Sequence, residues 1–203
     1  NALEGGRGFF EAFGGGYAPE WIAGRLGSPF ALIDPGVSVK PYPSGVVGHP
    51  GMDAMKKLVT DHDIDPADIA EILVRTGPNV LNPGPLRIAH AATALEAKFC
   101  VPFQMAAIAL RRKAGLDEFA DDFVQSDACQ ALQRKVVTVV DPAIAALGKD
   151  KVVFEIEVVT ADGQRFAQRS KEHYRGGPED PLTWEELGDK FRDCAAKTLG
   201  SSA

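Results

Sequence analysis

The sequence predicts an α+β fold: an antiparallel sheet of about four strands with helices packed on one side, flanked by terminal helices. Three observations carry that expectation. Residues 152–160 alternate, with Phe154, Ile156 and Val158 on one face and Glu155 and Glu157 on the other, the period of a strand with one wet face. Asp162-Gly163 then supplies a two-residue hairpin turn into residues 164–168. Thr93-Ala94-Leu95-Glu96 and Thr183-Trp184-Glu185-Glu186 are capping boxes, each opening a run with apolar residues at helical spacing.

The remaining elements follow in chain order. Residues 3–13 carry Phe9, Phe10 and Phe13 on adjoining helical positions and stop at Gly14-Gly15-Gly16, a helix end with a flexible exit. So aromatic a face on so short a helix predicts a partner outside it. Residues 17–35 read as a connector with one helical turn near 19–26. Val37-Ser38-Val39-Lys40 is a short β-like run ending on a lysine, and Pro41 and Pro43 fix a bend after it. Met52, Met55, Leu58 and Val59 predict a helix over 51–62 with Pro50 in its first turn. Ile69, Ile72 and Val74 predict a strand over 69–76, ended by Gly77-Pro78, and residues 79–92 form a long loop. From Thr93 the spacing predicts one long helix to about Ala114, with Leu95, Phe99, Phe103, Ala106, Ala107 and Leu110 on its apolar face. Pro102 lies inside that span and predicts a kink. Residues 116–124 and 127–134 read as shorter helices, and the β-branched 135–141 as a strand.

Composition narrows the function classes. The chain has 203 residues, 45% hydrophobic and 25% charged, the profile of an ordinary folded protein. A net charge of −6 leaves no global positive field, which argues against nucleic-acid or anionic-membrane binding. No run approaches the ~20 apolar residues of a membrane span. Cys100, Cys129 and Cys194 are odd in number with no CxxC, so they read as buried apolar fillers in a reducing, cytoplasmic setting. The start at Asn1-Ala2 reads as a tag remnant ahead of an excised piece of a longer protein.

Chemically useful groups are densest between Lys40 and His49. Lys40, at the end of its β-like run, is a point-charge partner for a carboxylate or a solvated surface amine. Tyr42 adds a phenol beside the bend, and Ser44 and Gly45 offer a hydroxyl and a backbone amide to an anion. His49 either caps the helix that starts at Pro50 or acts as an acid or base near neutral pH. Lys98 sits within one turn of the capping box and is otherwise an exposed helical lysine. No histidine pair has metal-ligand spacing, and GxGxxG, GxxxxGK[ST] and GxSxG are absent. Neither a metal nor an organic cofactor is expected.

The order of four landmarks adds a resemblance. Residues 5–13 (Gly-Gly-Arg-Gly-Phe-Phe-Glu-Ala-Phe), the stretch 37–49, Leu95-Glu96-Ala97-Lys98-Phe99, and Trp184-Glu185-Glu186-Leu187 with Lys190-Phe191 together resemble the C-terminal part of the MmgE/PrpD family. That family includes 2-methylcitrate dehydratases, cis-aconitate decarboxylases and iminodisuccinate epimerases. The resemblance implies a homodimer whose subunits combine a large helical domain with an α+β lid. Residues 34–175 would be the lid, and residues 1–33 and 176–203 would be segments of the helical domain, most of which lies in a missing N-terminal part. It also implies proton abstraction beside a carboxylate of a small di- or tricarboxylate substrate, without a cofactor. Lys40 resembles the lid lysine that binds substrate carboxylate. His49 matches a histidine at the end of that loop. The decarboxylase branch carries a histidine where Gly45 stands and a tyrosine where Phe103 stands, which favours a dehydratase or epimerase and an isolated piece that is inactive. The other reading, of a different class, is a non-catalytic binding module that retains the lid fold.

Overall fold

The computed structural model describes residues 2–199 except 15, 25, 28, 29, 82, 83 and 149. Gly15 of the predicted glycine exit, Arg25 of the connector, and Asn82 and Pro83 of the long loop therefore lie outside the described residues. The chain divides into two units, Asn1–Val37 and Ser38–Ala203.

Among its described residues the first unit holds α1 (Phe9–Gly14), shorter than the helix predicted over 3–13, a 3-10 turn at Pro19–Trp21 and a wider turn at Leu32–Gly36. Phe10 stacks on Tyr17 with centroids 4.4 Å apart, while Phe9 and Phe13 are exposed.

The second unit is mixed α+β around one open sheet. Its helices and strands run α2 (His49–Asp61), β1 (Ile69–Thr76), α3 (Ala94–Ala97), α4 (Val101–Arg111), α5 (Asp121–Val124), α6 (Asp127–Gln133), β2 (Val136–Val140), α7 (Pro142–Ala145), β3 (Phe154–Thr160), β4 (Arg165–Arg169) and α8 (Trp184–Leu199). The sheet order is β2-β1-β3-β4. β3 pairs antiparallel with both β1 and β4, as alternation and the Asp162-Gly163 turn predict. The turn is one residue longer than predicted: Thr160 N–H donates to Gln164 O (3.0 Å), so Ala161, Asp162 and Gly163 form the loop, with Gly163 at φ +86°. The pairing of β1 with β2 is parallel instead, Ile72 opposite Val136 and Thr76 opposite Val140. The four helices between them supply the crossover that a parallel pair needs.

One face of the sheet is covered. Ile72 and Val74 of β1, and Phe154, Ile156 and Val158 of β3, are buried against Met52, Met55 and Leu58 of α2 and the apolar residues of α4. The other face is solvated and ionic: Arg165 and Arg75 flank Glu157, and Arg169 pairs with Glu155.

Two predicted elements fall differently. The long helix from Thr93 is two helices, because the chain leaves helical geometry at Cys100 (φ −120°) and restarts. Pro102 then sits in the first turn of α4, where its absent N–H costs nothing, so no kink forms. The Thr93 capping box is intact, but α3 ends after one turn and leaves Leu95 and Phe99 exposed. The β-like run at 37–40 is not a strand. Val39 donates one backbone hydrogen bond to Gly176 O (2.8 Å) and joins no sheet. Of the cysteines, Cys100 and Cys129 are buried as expected, while Cys194 is exposed.

Candidate functional site

The Lys40–His49 stretch forms a loop seated on the N-terminal ends of α2 and α4. Its base is fixed by the Val39–Gly176 hydrogen bond. Gly176 has φ +88°, and a Cβ there would overlap the Val39 carbonyl oxygen, so this approach requires glycine. The middle of the loop is fixed by Gly45 N–H donating to Lys98 O (2.9 Å), an acceptor shared with Gln104 Nε2 (3.3 Å). A 3-10 turn at Val46–Gly48 then leads into α2.

Lys40 is exposed, and its Nζ donates to Ser44 O at 3.3 Å. That bond curls the amine over its own loop and uses one of its three donors. Ser44 is buried, its hydroxyl 3.6 Å from Met52 Sδ, so it anchors the loop and is turned away from solvent. Gly45 has φ −60°, open to any residue. A Cβ there would lie 2.9 Å from Leu86 Cδ2 and 3.4 Å from Lys98 O, so the packing leaves little room for a side chain. Lys98 contributes its carbonyl to the loop. Phe103 is a fully buried core residue, edge-on to Phe119 with centroids 5.1 Å apart.

His49 is not a cap. It is the first residue of α2, 1% exposed, and its ring meets Tyr42 edge-on at 5.4 Å. Nε2 has no hydrogen-bond partner. Burial holds the imidazole down to about 4, against smaller opposing pulls from Ser44 and Asp53, so His49 is neutral at pH 7. It can exchange a proton with a bound molecule only if the loop lifts off it.

The best-connected polar group of this region went unread in the sequence. Tyr42 OH donates to Asp53 Oδ1 (2.7 Å). Arg175 donates to Asp53 Oδ1 through Nε (2.9 Å) and to Tyr42 OH through Nη2 (3.2 Å). Its Nη1 reaches Glu186 Oε1 (2.9 Å) in the α8 capping box, and its Cζ lies 5.5 Å from the Tyr42 ring centroid. Burial and the Asp53 carboxylate push the Tyr42 phenol well above its usual range, so it stays a donor. One arginine thus ties together the bend, α2 and the start of α8.

Arg175 also stands between two open clefts of about 450 and 370 Å³, whose linings share Lys56, Arg175 and Glu186. The second includes Tyr42, and neither lining includes Lys40, Ser44, Gly45 or His49. Asp53 was detectable as a lone carboxylate among the apolar positions of α2. Gln104 was detectable as a buried amide between Phe103 and Met105, and its Oε1 is a second buried atom without a partner. Arg175 has no local signal, because its three partners come from separate segments. Among the described residues no three or more His, Cys, Asp or Glu side chains are grouped to hold a metal, and no helix is long and apolar enough to cross a membrane.

Compared directly with curated protein sequences, the chain matches none. Residues 42–203 match the family model described as the MmgE/PrpD C-terminal domain. The match starts two residues after Lys40, and it spans the Tyr42–Asp53–Arg175–Glu186 network and the whole sheet. Covering well over half of the sequence, it places this chain in the MmgE/PrpD family, carrying that family's C-terminal domain.

Proposed function

We propose that this chain is the lid part of a cofactor-independent lyase or isomerase that acts on small di- or tricarboxylates by proton abstraction beside a carboxylate, in the manner of a 2-methylcitrate dehydratase or an epimerase. Residues 34–175 act as the lid, residues 1–33 and 176–203 belong with a helical domain outside these 203 residues, and the chain alone is inactive. The observation that carries the reading is Lys40 in a chain of this family: an exposed ammonium on a loop pinned at Val39, Ser44 and Gly45.

Removing a proton next to a carboxylate builds negative charge on that carboxylate, and a fixed cation stabilises the charge as it develops. Lys40 retains two donors for that task. Gly45 and Phe103 supply no proton-transfer group, which supports dehydration or epimerisation over decarboxylation. His49, neutral and packed against Tyr42, becomes an acid or base only when the loop opens.

The test is Lys40→Ala in the chain joined to its helical domain. Loss of at least about tenfold in kcat/KM on a di- or tricarboxylate, partly restored by Lys40→Arg, is the expected result. A change within about twofold removes Lys40 from carboxylate binding and favours a binding module that kept the fold.

A further inference from the structure

The segment that carries Arg87 is built to show that side chain. Leu86 N–H donates to Val80 O (2.8 Å), and the buried Leu86 side chain packs against Gly45 and Gly48. Arg87 forms an antiparallel bridge with Cys100, and Ile88 N–H donates to Phe99 O (3.4 Å). Neighbouring side chains of an extended segment point opposite ways. With Leu86 turned inward, Arg87 turns outward and is exposed.

There Arg87 lines an open cleft of about 570 Å³ with Gly84, Pro85, Ile88 and Phe99. Its lining differs in kind from those of the two clefts beside Arg175. They contain Asp53, Asp61, Asp180 and Glu186 in one case and Glu186, Asp189 and Asp193 in the other, and Arg175 itself is paired with Asp53 and Glu186. No carboxylate lines the Arg87 cleft, and none among the described residues pairs with this guanidinium. Its charge is free for an anion, and Ile88 and Phe99 offer an apolar wall beside it. A carboxylate on a short carbon skeleton matches both features.

Gly45 connects this cleft to Lys40. The Ser44–Gly45 peptide accepts from Lys40 Nζ at its oxygen (3.3 Å) and donates from its nitrogen to Lys98 O (2.9 Å). One peptide unit thus separates the ammonium from the backbone of Lys98, and Phe99 is the next residue. A Cβ on Gly45 would lie 3.8 Å from Phe99 Cδ1, so the Phe99 ring lies alongside Gly45.

We propose that Arg87 is a second carboxylate-binding residue of the candidate site. Lys40 holds one carboxylate of the substrate, the Arg87 guanidinium takes another as a bidentate pair, and the carbon skeleton between them lies on Phe99. This deepens the carboxylate reading and rests on it for the class of ligand. It also narrows that class, since a monocarboxylate reaches only one of the two cations.

Isothermal titration of the chain joined to its helical domain tests it, with glutarate and its monoamide glutaramate as probes at fixed ionic strength. The probes differ by one charge at one end, so glutarate is expected to bind at least about tenfold more tightly. Arg87→Gln brings the two within about threefold of each other by weakening glutarate, and Arg87→Lys restores part of the difference. An unchanged melting temperature shows that each variant folds. A parent protein that does not distinguish the probes, or an Arg87→Gln protein that prefers glutarate as strongly as the parent, overturns the proposal. Lys40→Ala is measured beside them. If it keeps the preference that Arg87→Gln loses, the failure belongs to Lys40 and Arg87 stands; if Lys40→Ala alone loses it, Arg87 is not the ligand.

Discussion

α4 and α8 are both helices with an apolar stripe, and they end in opposite environments. Nine of the eleven residues of α4 are buried, between α2, α6 and the sheet. None of the sixteen residues of α8 is buried, and it presents Trp184 at 89% and Phe191 at 68% exposure. α8 is joined to the body by polar contacts: Arg175 to Glu186, and Lys197 to Asp117. The contrast teaches that periodicity reports which side of a helix is apolar, and that burial depends on what the rest of the chain brings to that side. A packed helix is held by shape, an open one by a few charges.

Four predictions sharpen or break that contrast. Phe103→Ala in α4 empties a fully buried site between Phe119 and Phe123 and is expected to cost about 3–5 kcal/mol in urea unfolding, whereas Phe191→Ala in α8 stays within about 0.5 kcal/mol. Equal effects would erase the distinction.

The second concerns acid. His49 titrates near its ordinary value of 6.5 when unfolded and is held down to about 4 when folded. Between those values the unfolded chain binds more protons, so stability falls as pH drops through that window and levels off below it. The total is on the order of 3 kcal/mol, and His49→Gln should flatten the slope of unfolding free energy against pH over that range. A slope unchanged by the substitution would show that the imidazole is solvated.

Arg175→Ala strips the guanidinium partner from Asp53 and from Glu186 at once, leaving Asp53 with Tyr42 and Glu186 with Thr183. Its expected cost is about 1–3 kcal/mol, accompanied by faster amide exchange in the first turn of α8. Protection unchanged there would mean that α8 is held by something other than this arginine. A smaller effect than that of Arg175→Ala belongs to Glu186→Gln, which keeps the reciprocal capping bonds with Thr183 and loses only a partly exposed charge. Below about 1 kcal/mol is expected from thermal melting.

Local chemistry was legible in the sequence, and remote pairing was not. Thr93 with Glu96, Thr183 with Glu186 and the β3 alternation each depend on residues within a few positions, and each stands where it was expected, while the hairpin turn falls at Asp162-Gly163 with one residue more than predicted. The parallel β1–β2 register and the Arg175 cluster join segments far apart in sequence, so no window could display them. Pro102 misled for a related reason. Its spacing fits either a kinked helix or a fresh start, and the choice was made by Cys100, whose thiol accepts from Phe103 N–H (3.4 Å) as a cap. Within the candidate site, Lys40 and Tyr42 lie on the loop surface and in the arginine cluster respectively, while Ser44 and His49 turned inward because α2 offers Met52 and Asp53 on that side. Residue type gives a side chain's chemistry, and only the packed loop gives its direction.

The placement of β1 also has a consequence in time. It is the strand that joins both halves of the sheet, yet its partners β2 and β3 lie about 60 to 90 residues further along the chain, so closing the sheet must wait on long loops. The β3–β4 hairpin and the contacts among α3, α5 and α6 are local and free to form first. Refolding followed by stopped flow should therefore show helical signal well ahead of the protection of β1 amides, with β1 among the last elements to become shielded from exchange.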